Sequence, residues 1–485
     1  MKFKFFKRIS LVCVVAIISM ISLSLVAQDE SVGFSSLKKK LAALAGKGVG
    51  NAVVGVTIAD VNTGQVIYSR NADSLLNPAS NAKIVTAACA LKVLGPEFRF
   101  DTSLHGKRDG VAIRGSLYIK GHADPTLSTE DLWEMSMKLR AAGIHRVEGG
   151  IVVDDTYFDS QNLPFAFDQQ PNEDNKFRTP VGAVSLNHNA LAIDIQPAAS
   201  GMAKAKVVLD PPGYAILIND TLTVGKGAHN PKISSTTFEN RTRVRVWGQI
   251  PLGARLTTYY RRIDNPSLFS GYGLKGVLER VGISVGGDVK MGTLPSGTPL
   301  LASHRSLPLS SVLWETGKMS NNFVTETILK TMGAEASKDA GTWEKAVGEV
   351  ERVMAGWGIP AGSYVYRNGS GLFDADKIST SQLVKVLRSV YLNSEIRPEF
   401  LAQLATGGVD GTIASRYKRA SAKRHVRAKT GTLSDVSALS GYVLDKGGQH
   451  PIAFSILVNK APGYVSAARR YQEEIVTAIA NFLNP

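Results

Sequence analysis

The chain has 485 residues, of which 44% are apolar and 20% are charged, and its formal net charge is +15 at pH 7. This balance excludes a disordered or collagen-like protein, and the length predicts about three domains. Two cysteines cannot form a disulfide scaffold and the scattered histidines lack ligand spacing, so we expect no metal and no other cofactor. The basic excess favours polyanionic cell-surface material as a partner over nucleic acid, because no zinc-finger spacing or aromatic-interleaved basic helix occurs.

The N-terminus has the pattern of a secretion signal. Four basic residues within 2–8 precede an apolar run over 9–27. We expect a signal peptide, 1–27, cleaved after Ala27. Leu25, two positions before Ala27, is larger than the small residue that signal cleavage prefers there. The run is long for a signal, so an uncleaved anchor, with membrane contact through this segment, stays open. Both interpretations export the chain, to the periplasm or to the outer face of the cytoplasmic membrane.

A hairpin and a helix are predicted next. Residues 52–60 alternate in strand fashion, and residues 65–70 form the returning strand after a turn at Asn62-Thr63-Gly64. Apolar residues then recur at helical spacing over 80–94, and Gly95-Pro96 ends the helix. The predicted helix begins at Ser80, which makes its first turn the place to look for chemistry.

Ser80-Asn-Ala-Lys83 places a lysine one helical turn after a serine, on the same face. A serine hydroxyl is a weak nucleophile until a base takes its proton, and a lysine whose pKa falls on burial can be that base. Backbone N–H groups at a helix start can also stabilise an oxyanion. A capping serine followed by a surface lysine gives the same pattern, so this motif alone does not decide.

Residues 101–300 differ from both ends of the chain. Short strand-like segments lie among many Gly, Pro and Asp residues, which predicts a mainly β region of two small domains. Residues 32–100 and 301–485 would then form one discontinuous domain around this insertion. Gly271-Tyr-Gly273-Leu-Lys-Gly276 matches a dinucleotide-binding fingerprint, but no strand precedes it, so we interpret it as a turn.

Helical periodicity returns after residue 305, over 307–329 with a break near Gly317, over 342–357 and over 381–392. Ser320-Asn-Asn322 lies at that break. The hydroxyl of Ser320 could relay a proton to a leaving nitrogen, and Asn322 could hold Lys83 or a substrate amide. A helix cap is the simpler interpretation of the same residues.

Three short strands over 426–433, 438–445 and 451–459 and a helix over 467–483 are predicted at the C-terminus. Lys429-Thr430-Gly431-Thr432 lies on the first strand. A substrate backbone could lie against Gly431, while Lys429 and the two threonine hydroxyls could bind a carboxylate. An edge strand protected by a lysine is the alternative.

In this order the three motifs resemble the D-alanyl-D-alanine carboxypeptidase/endopeptidase family, the low-molecular-mass class C penicillin-binding proteins. The segments NPASNAKIVTAACAL, NGSGL and AKTGTLSDVSALSGYV are similar to that family too. The resemblance implies an α/β (α+β) serine transpeptidase/β-lactamase-like core, in which an antiparallel sheet is flanked by helices, with mainly β inserted domains. The long separation of Lys83 from Ser320 matches such insertions and argues against a class A β-lactamase.

The resemblance also implies residue roles. Ser80 would attack the carbonyl between two terminal D-alanines, and Lys83 would be the general base. Ser320 and Asn322 would relay the proton and position the amide. The substrate-binding residues would be Lys429, Thr430, Gly431, Thr432 and Asp155, with Asp155 holding a side chain of the peptide.

We therefore expect an exported serine-type D-Ala-D-Ala carboxypeptidase, with D,D-endopeptidase activity as a further expectation. It would act on peptidoglycan stem peptides and bind β-lactams as inhibitors. Phe373-Asp374 replaces an expected Ser-Arg pair, and Ser434 replaces a glutamine of some relatives, which leaves peptide side-chain specificity open. A non-catalytic wall-binding or β-lactam-sensing protein on the same fold is the alternative, and an esterase or amidase using the same site is another. The sequence does not decide the oligomeric state.

Overall fold

In the computed structural model, the described residues are 34–169, 175–239 and 241–485. The predicted signal peptide, residues 1–27, lies outside these ranges. Within them, we find no helix that combines the length and the apolar character needed to cross a membrane.

Helices occur in both ends of the chain and in its middle. Their bounds are α1 over 34–46, α2 Ala82–Val93, α3 Thr129–Ala141, α4 Pro266–Arg280, α5 Leu309–Gly317, α6 Asn322–Ser337, α7 Trp343–Gly356, α8 Thr380–Leu392, α9 Arg397–Gln403 and α10 Val465–Leu483. The predicted break near Gly317 is confirmed, since α5 ends there.

The strands fall into four sheets. Their bounds are β1 Val53–Asp60, β2 Val66–Arg70, β3 Asp101–Asp109, β4 Ala112–Gly121, β5 Arg146–Val147, β6 Ile151–Asp154, β7 Ala190–Gln196, β8 Lys206–Asp210, β9 Ala215–Val224, β10 Lys232–Phe238, β11 Arg241–Pro251, β12 Thr257–Arg262, β13 Ser284–Val285, β14 Val289–Met291, β15 Leu300–Arg305, β16 Ala405–Thr406, β17 Val426–Thr432, β18 Ser437–Val443 and β19 Ile452–Asn459. The predicted N-terminal hairpin, β1–β2, and the three C-terminal strands are confirmed.

The largest all-antiparallel sheet joins the two ends of the chain, in the order β16-β17-β18-β19-β1-β2. Every residue of β19 is buried. Because side chains alternate across a strand, Ala453 and Leu457 pack with helices α2, α5, α6, α7 and α8, whereas Phe454 and Ile456 pack with α1 and α10 on the opposite face. The expected antiparallel sheet flanked by helices is thus the observed core.

The middle of the chain forms a seven-stranded sheet, with the path β13-β5-β4-β3-β15 joined by β6 and β14, and two three-stranded sheets, β10-β11-β9 and β12-β7-β8. Helices α3 and α4 bury their apolar residues in the core of this region. Because β15 pairs with β3, the seven-stranded sheet extends past the expected boundary at residue 300. The division of 101–300 into two small domains stays a prediction.

The interpretation of Gly271–Gly276 as a turn is wrong, because all of it lies inside α4. Asn265 starts this helix by accepting a hydrogen bond from the N–H of Leu268 at 2.9 Å, and Pro266 follows it. A Cβ on Gly271 would lie 2.5 Å from Val289, and one on Gly276 would lie 2.7 Å from the carbonyl of Pro212. The glycines are therefore required for close helix packing and not for a turn.

Candidate active site

Ser80 lies in a 3-10 turn, Ala79–Asn81, that leads into α2. Asn77 fixes the approach to this turn: its side chain accepts the N–H of Ala79 at 2.8 Å, and its backbone exchanges two hydrogen bonds with the side chain of Asn459, at the end of β19. Ala79 has a φ of 44°, which an L-residue adopts only when its surroundings impose it. No side-chain hydrogen bond caps α2, so Ser80 is not the capping serine of the simpler interpretation.

Lys83 lies directly behind Ser80, with only 1% of its surface exposed. Its Nζ donates hydrogen bonds to Oγ of Ser80 at 3.0 Å, to Oδ1 of Asn322 at 2.7 Å and to the carbonyl of Ser370 at 2.8 Å. Burial lowers the pKa of Lys83 to about 7, against the opposing effect of carboxylates at Glu326 and Asp376. An amine with that pKa can accept the Ser80 proton near neutral pH.

Ser320 and Asn322 lie at the junction between α5 and α6. Asn321, between them, is the residue that caps α6, since its side chain accepts the N–H of Val324 at 3.3 Å. Ser320 has a φ of 59° and is therefore turned out of the helical path. Asn321 is therefore the residue that caps the helix, and Ser320 and Asn322 line the cleft.

Lys429 approaches from β17 and is also 1% exposed. Its Nζ donates to Oγ of Ser320 at 2.7 Å and to the carbonyl of Thr430 at 2.9 Å. Burial, and next the positive charge of Lys83, hold the pKa of Lys429 well below its ordinary value. A lysine this buried does not protect a solvated edge strand.

Gly431 brings β17 against the turn that carries Ser80. A Cβ at this position would lie 2.9 Å from both the N atom of Ser80 and the carbonyl of Pro78. Asn81 strengthens the contact by donating from its side chain to the carbonyl of Lys429 at 3.1 Å. The glycine therefore brings the backbone N–H groups of Ser80 and of the end of β17 close together.

The two threonines of this motif differ in position. Thr432 lines the cleft and accepts a hydrogen bond from the guanidinium of Arg469 at 3.2 Å. Thr430 bonds instead to the hydroxyl of Thr412 at 2.8 Å and is not among the residues that line the cleft. Thr432 thus lines the cleft, and the expected contact of Thr430 with a substrate carboxylate stays a prediction.

These groups surround one cleft of about 770 Å³. Its lining includes Ser80, Ser320, Asn322 and Thr432, together with Phe177 of the inserted region, whose carbonyl accepts a 2.8 Å hydrogen bond from the Asn322 side chain. The remaining lining includes Phe373, Asp374, Lys377, Ser434, Asp435 and Lys460. The departures from the family pattern, Phe373-Asp374 and Ser434, therefore line the cleft itself.

Asp155 is not among the residues lining this cleft. Its carboxylate accepts a hydrogen bond from the hydroxyl of Ser267, at the start of α4, and burial raises the pKa of Asp155. The structure therefore gives Asp155 a partner within the inserted region. Its expected contact with a peptide side chain remains a prediction.

Sequence reasoning did not single out Glu326, Ser370 or Asp376, although all three are buried around Lys83. Glu326 follows Asn322 by four residues, so helical spacing places both on one face of α6. The four-residue spacing between Asn322 and Glu326 was therefore a signal that sequence reasoning could have used.

No group of three or more His, Cys, Asp or Glu side chains in the described ranges could hold a metal ion.

Comparison with known proteins finds relatives that match nearly the whole chain. The model of the D-Ala-D-Ala carboxypeptidase 3 (S13) family matches residues 37–482. A D-alanyl-D-alanine carboxypeptidase of Actinomadura sp. (strain R39) is 34% identical over 451 residues, covering 89% of this chain and 82% of that relative. The carboxypeptidase DacB of Haemophilus influenzae is 23% identical over 84% of this chain and 85% of its own length.

Solved structures show the same fold. Penicillin-binding protein 4 of Haemophilus influenzae superimposes with a TM-score of 0.74 at 22% identity, covering 91% of this chain and 98% of that chain. A predatory peptidoglycan endopeptidase of Bdellovibrio bacteriovorus gives a TM-score of 0.52 at 16% identity, covering 89% of this chain and 94% of that one.

Proposed function

This chain belongs to the D-Ala-D-Ala carboxypeptidase 3 (S13) family, a family of serine hydrolases, and we propose that it works through an acyl-enzyme on Ser80. The observation that carries this proposal is the 3.0 Å contact between the Lys83 amine and the Ser80 hydroxyl in the cleft. Its substrates are peptidoglycan stem peptides ending in D-Ala-D-Ala, and β-lactams bind in the same place.

Acylation begins when Lys83, in its neutral form, takes the proton of Ser80 as Oγ attacks the carbonyl carbon between the two D-alanines. The negative charge that forms on the carbonyl oxygen faces the backbone N–H groups of Ser80 and Thr432, which Gly431 allows to lie close together. Donors of this kind are worth about 3–4 kcal/mol each in other serine hydrolases.

Collapse of the tetrahedral intermediate breaks the C–N bond, and the leaving nitrogen takes a proton through the hydroxyl of Ser320. Lys429 donates to that hydroxyl at 2.7 Å and so connects it to a second amine. The carboxylate of the leaving D-alanine lies beside the hydroxyl of Thr432 and the amine of Lys429. Water then attacks the ester: its proton passes through Ser320 back to Lys429, Lys83 returns to Ser80 the proton that it took, and the shortened peptide is released.

We also propose the wider context of this activity. The chain is exported after removal of residues 1–27, and residues 32–100 and 301–485, apart from β15, which pairs with β3 of the inserted region, form the catalytic domain. The strands that the two ends contribute to the six-stranded sheet support this division. D,D-endopeptidase activity on cross-linked peptides is a second reaction of the same acyl-enzyme, tested by mass analysis of products released from cross-linked peptidoglycan.

The test of the nucleophile is labelling by a fluorescent penicillin, together with D-alanine release from a pentapeptide. Ser80→Ala should abolish both. Ser35→Ala is a matched control, because Ser35-Ser-Leu-Lys38 has the same spacing but Ser35 is exposed on α1. Equal labelling of the wild type and Ser80→Ala would contradict the proposal. Stoichiometric labelling without D-alanine release would favour a β-lactam-sensing protein instead.

A further inference from the structure

Lys83 contacts a buried loop that lies between α7 and α8. The carbonyl of Ser370 in this loop accepts the 2.8 Å hydrogen bond from the Lys83 amine. Asn368 and Ser370 have no exposed surface. The direction of this carbonyl therefore depends on whatever binds the backbone N–H groups of the loop.

Glu326, which is fully buried on α6, binds two of those groups. Its Oε2 accepts the N–H of Gly369 at 3.0 Å, and its Oε1 accepts the N–H of Ser370 at 2.8 Å. Because both oxygens accept, the hydrogen-bond pattern is that of an ionised carboxylate. Glu326 thus holds the residue whose carbonyl contacts Lys83, and it brings a buried negative charge with it.

Asp376 binds the other end of the loop in a different way. Its Oδ1 accepts the N–H groups of Arg367 at 2.7 Å and Asn368 at 3.3 Å, whereas its buried Oδ2 has no hydrogen-bond partner in the described ranges. Burial raises the pKa of Asp376 to about 7. Below that pH its carboxyl is largely neutral. Burial raises the pKa of Glu326 as well, whereas its hydrogen bonds to the loop and the charge of Lys83 lower it.

The Lys83 amine itself touches only uncharged groups, namely a hydroxyl, an amide oxygen and a carbonyl. The titratable groups that face it are Glu326 on α6, Asp376 before α8 and Lys429 on β17. The carboxylates raise the pKa of Lys83, and burial lowers it by more. A carboxylate in direct contact with the Lys83 amine would keep the proton on it. A carboxylate on the other side of the Ser370 peptide raises the proton affinity of the amine by a smaller amount.

We propose that Glu326 is a positioning residue for Lys83, acting through the Ser370 carbonyl and through its own buried charge. This inference rests on the proposed function, in which Lys83 is the base. The carboxylate directs the amine towards Ser80 and offsets part of the decrease in the Lys83 pKa that burial causes. A base is most effective when it is deprotonated near the working pH and still has affinity for a proton.

The test is the pH profile of acylation by a fluorescent penicillin. In the wild type the rate should rise with pH through about 7, because only the neutral amine accepts the Ser80 proton. In Glu326→Gln the midpoint should move to lower pH by about one unit, because a buried negative charge is lost. The plateau should also fall about tenfold, since glutamine leaves one loop N–H without an acceptor.

Two further variants separate charge from position. Glu326→Asp keeps the charge but withdraws the carboxylate, so its midpoint should stay near that of the wild type while its plateau falls. Asp376→Asn should move the midpoint less than Glu326→Gln, because Asp376 is already largely neutral on the acidic limb. Lys330→Met is the structural control, since it removes a buried charge from the same helix without touching the loop.

An unchanged midpoint in Glu326→Gln, or an equal shift in Lys330→Met, would overturn the proposal. If Glu326→Gln does not fold, a lowered midpoint in Glu326→Asp overturns it, and an unchanged midpoint with a reduced plateau supports it. Labelling of Ser80→Ala would instead overturn the proposed function, so the two failures are distinguishable.

Discussion

Lys83 and Lys330 are almost completely buried in two different regions of the molecule, and their surroundings treat the charge differently. In the cleft, Lys83 contacts only neutral groups, and the nearest carboxylates act on it through a loop. In the middle of α6, Lys330 donates directly to the carboxylate of Asp159 at 2.5 Å and to the carbonyl of Gln161 at 2.6 Å. The rings of Phe158 and Trp343 each lie 5.0 Å from the same amine.

The different partners of Lys83 and Lys330 indicate a different role for each lysine. A buried ammonium that pairs with a carboxylate keeps its proton and links two parts of a fold, here α6 and the segment after β6. Burial lowers the pKa of both amines, but Asp159 opposes this change at Lys330 by direct contact, whereas no carboxylate touches the Lys83 amine, which is able to exchange its proton. Burial alone does not distinguish a base from a structural cation, whereas the partner does.

The largest expected effect comes from Lys83→Met. Acylation by penicillin should fall by about 1000-fold, because loss of a general base typically costs 100- to 10,000-fold. Thermal stability should be retained, since the substitution removes the cost of burying an amine while it loses three hydrogen bonds. Stopped-flow labelling and thermal unfolding would measure both. Lys92→Met, on the exposed last turn of α2, is the control and should change neither.

Lys330→Met should show the reverse pattern. It leaves Asp159, whose side chain is 25% exposed, without its cation, so the free energy of unfolding should fall by about 2–3 kcal/mol. Penicillin labelling of the folded fraction should stay within about twofold of the wild type, because Lys330 does not contact the cleft. Denaturant titration measures the loss, and Lys338→Met, just after the end of α6, whose side chain is 78% exposed, should show almost none. A loss of labelling larger than the loss of folded protein would remove the distinction between the two lysines.

The smallest effect is expected for a lysine that is not buried. Lys138 on α3 pairs with Glu134 one turn earlier, and their side chains are 50% and 64% exposed. Lys138→Ala should lower the free energy of unfolding by about 0.3–0.5 kcal/mol, and added salt should reduce that difference. A loss of free energy of unfolding comparable with that of Lys330→Met would show that burial does not determine how much these ion pairs contribute to stability.

Much of the core could be predicted from local patterns. The β1–β2 hairpin, the break after α5 and the strands β17, β18 and β19 are each encoded by a few neighbouring residues, so periodicity and turn residues located them. The helix α4 was missed because Gly271, Gly273 and Gly276 signal a turn locally, whereas close packing against Val289 and Pro212 favours a helix. The contacts that decide such a case come from residues distant in sequence.

The sequence by itself determined the order along the chain of the residues proposed to carry the chemistry: Ser80 with Lys83, Ser320 with Asn322, and Lys429 with Gly431. Only the tertiary structure decided that Thr432 and not Thr430 lines the cleft, that Asp155 faces Ser267, and that Glu326 lies behind Lys83. The physical reason is that a motif specifies local spacing, whereas burial, and the pKa it sets, depends on every segment that packs around the group.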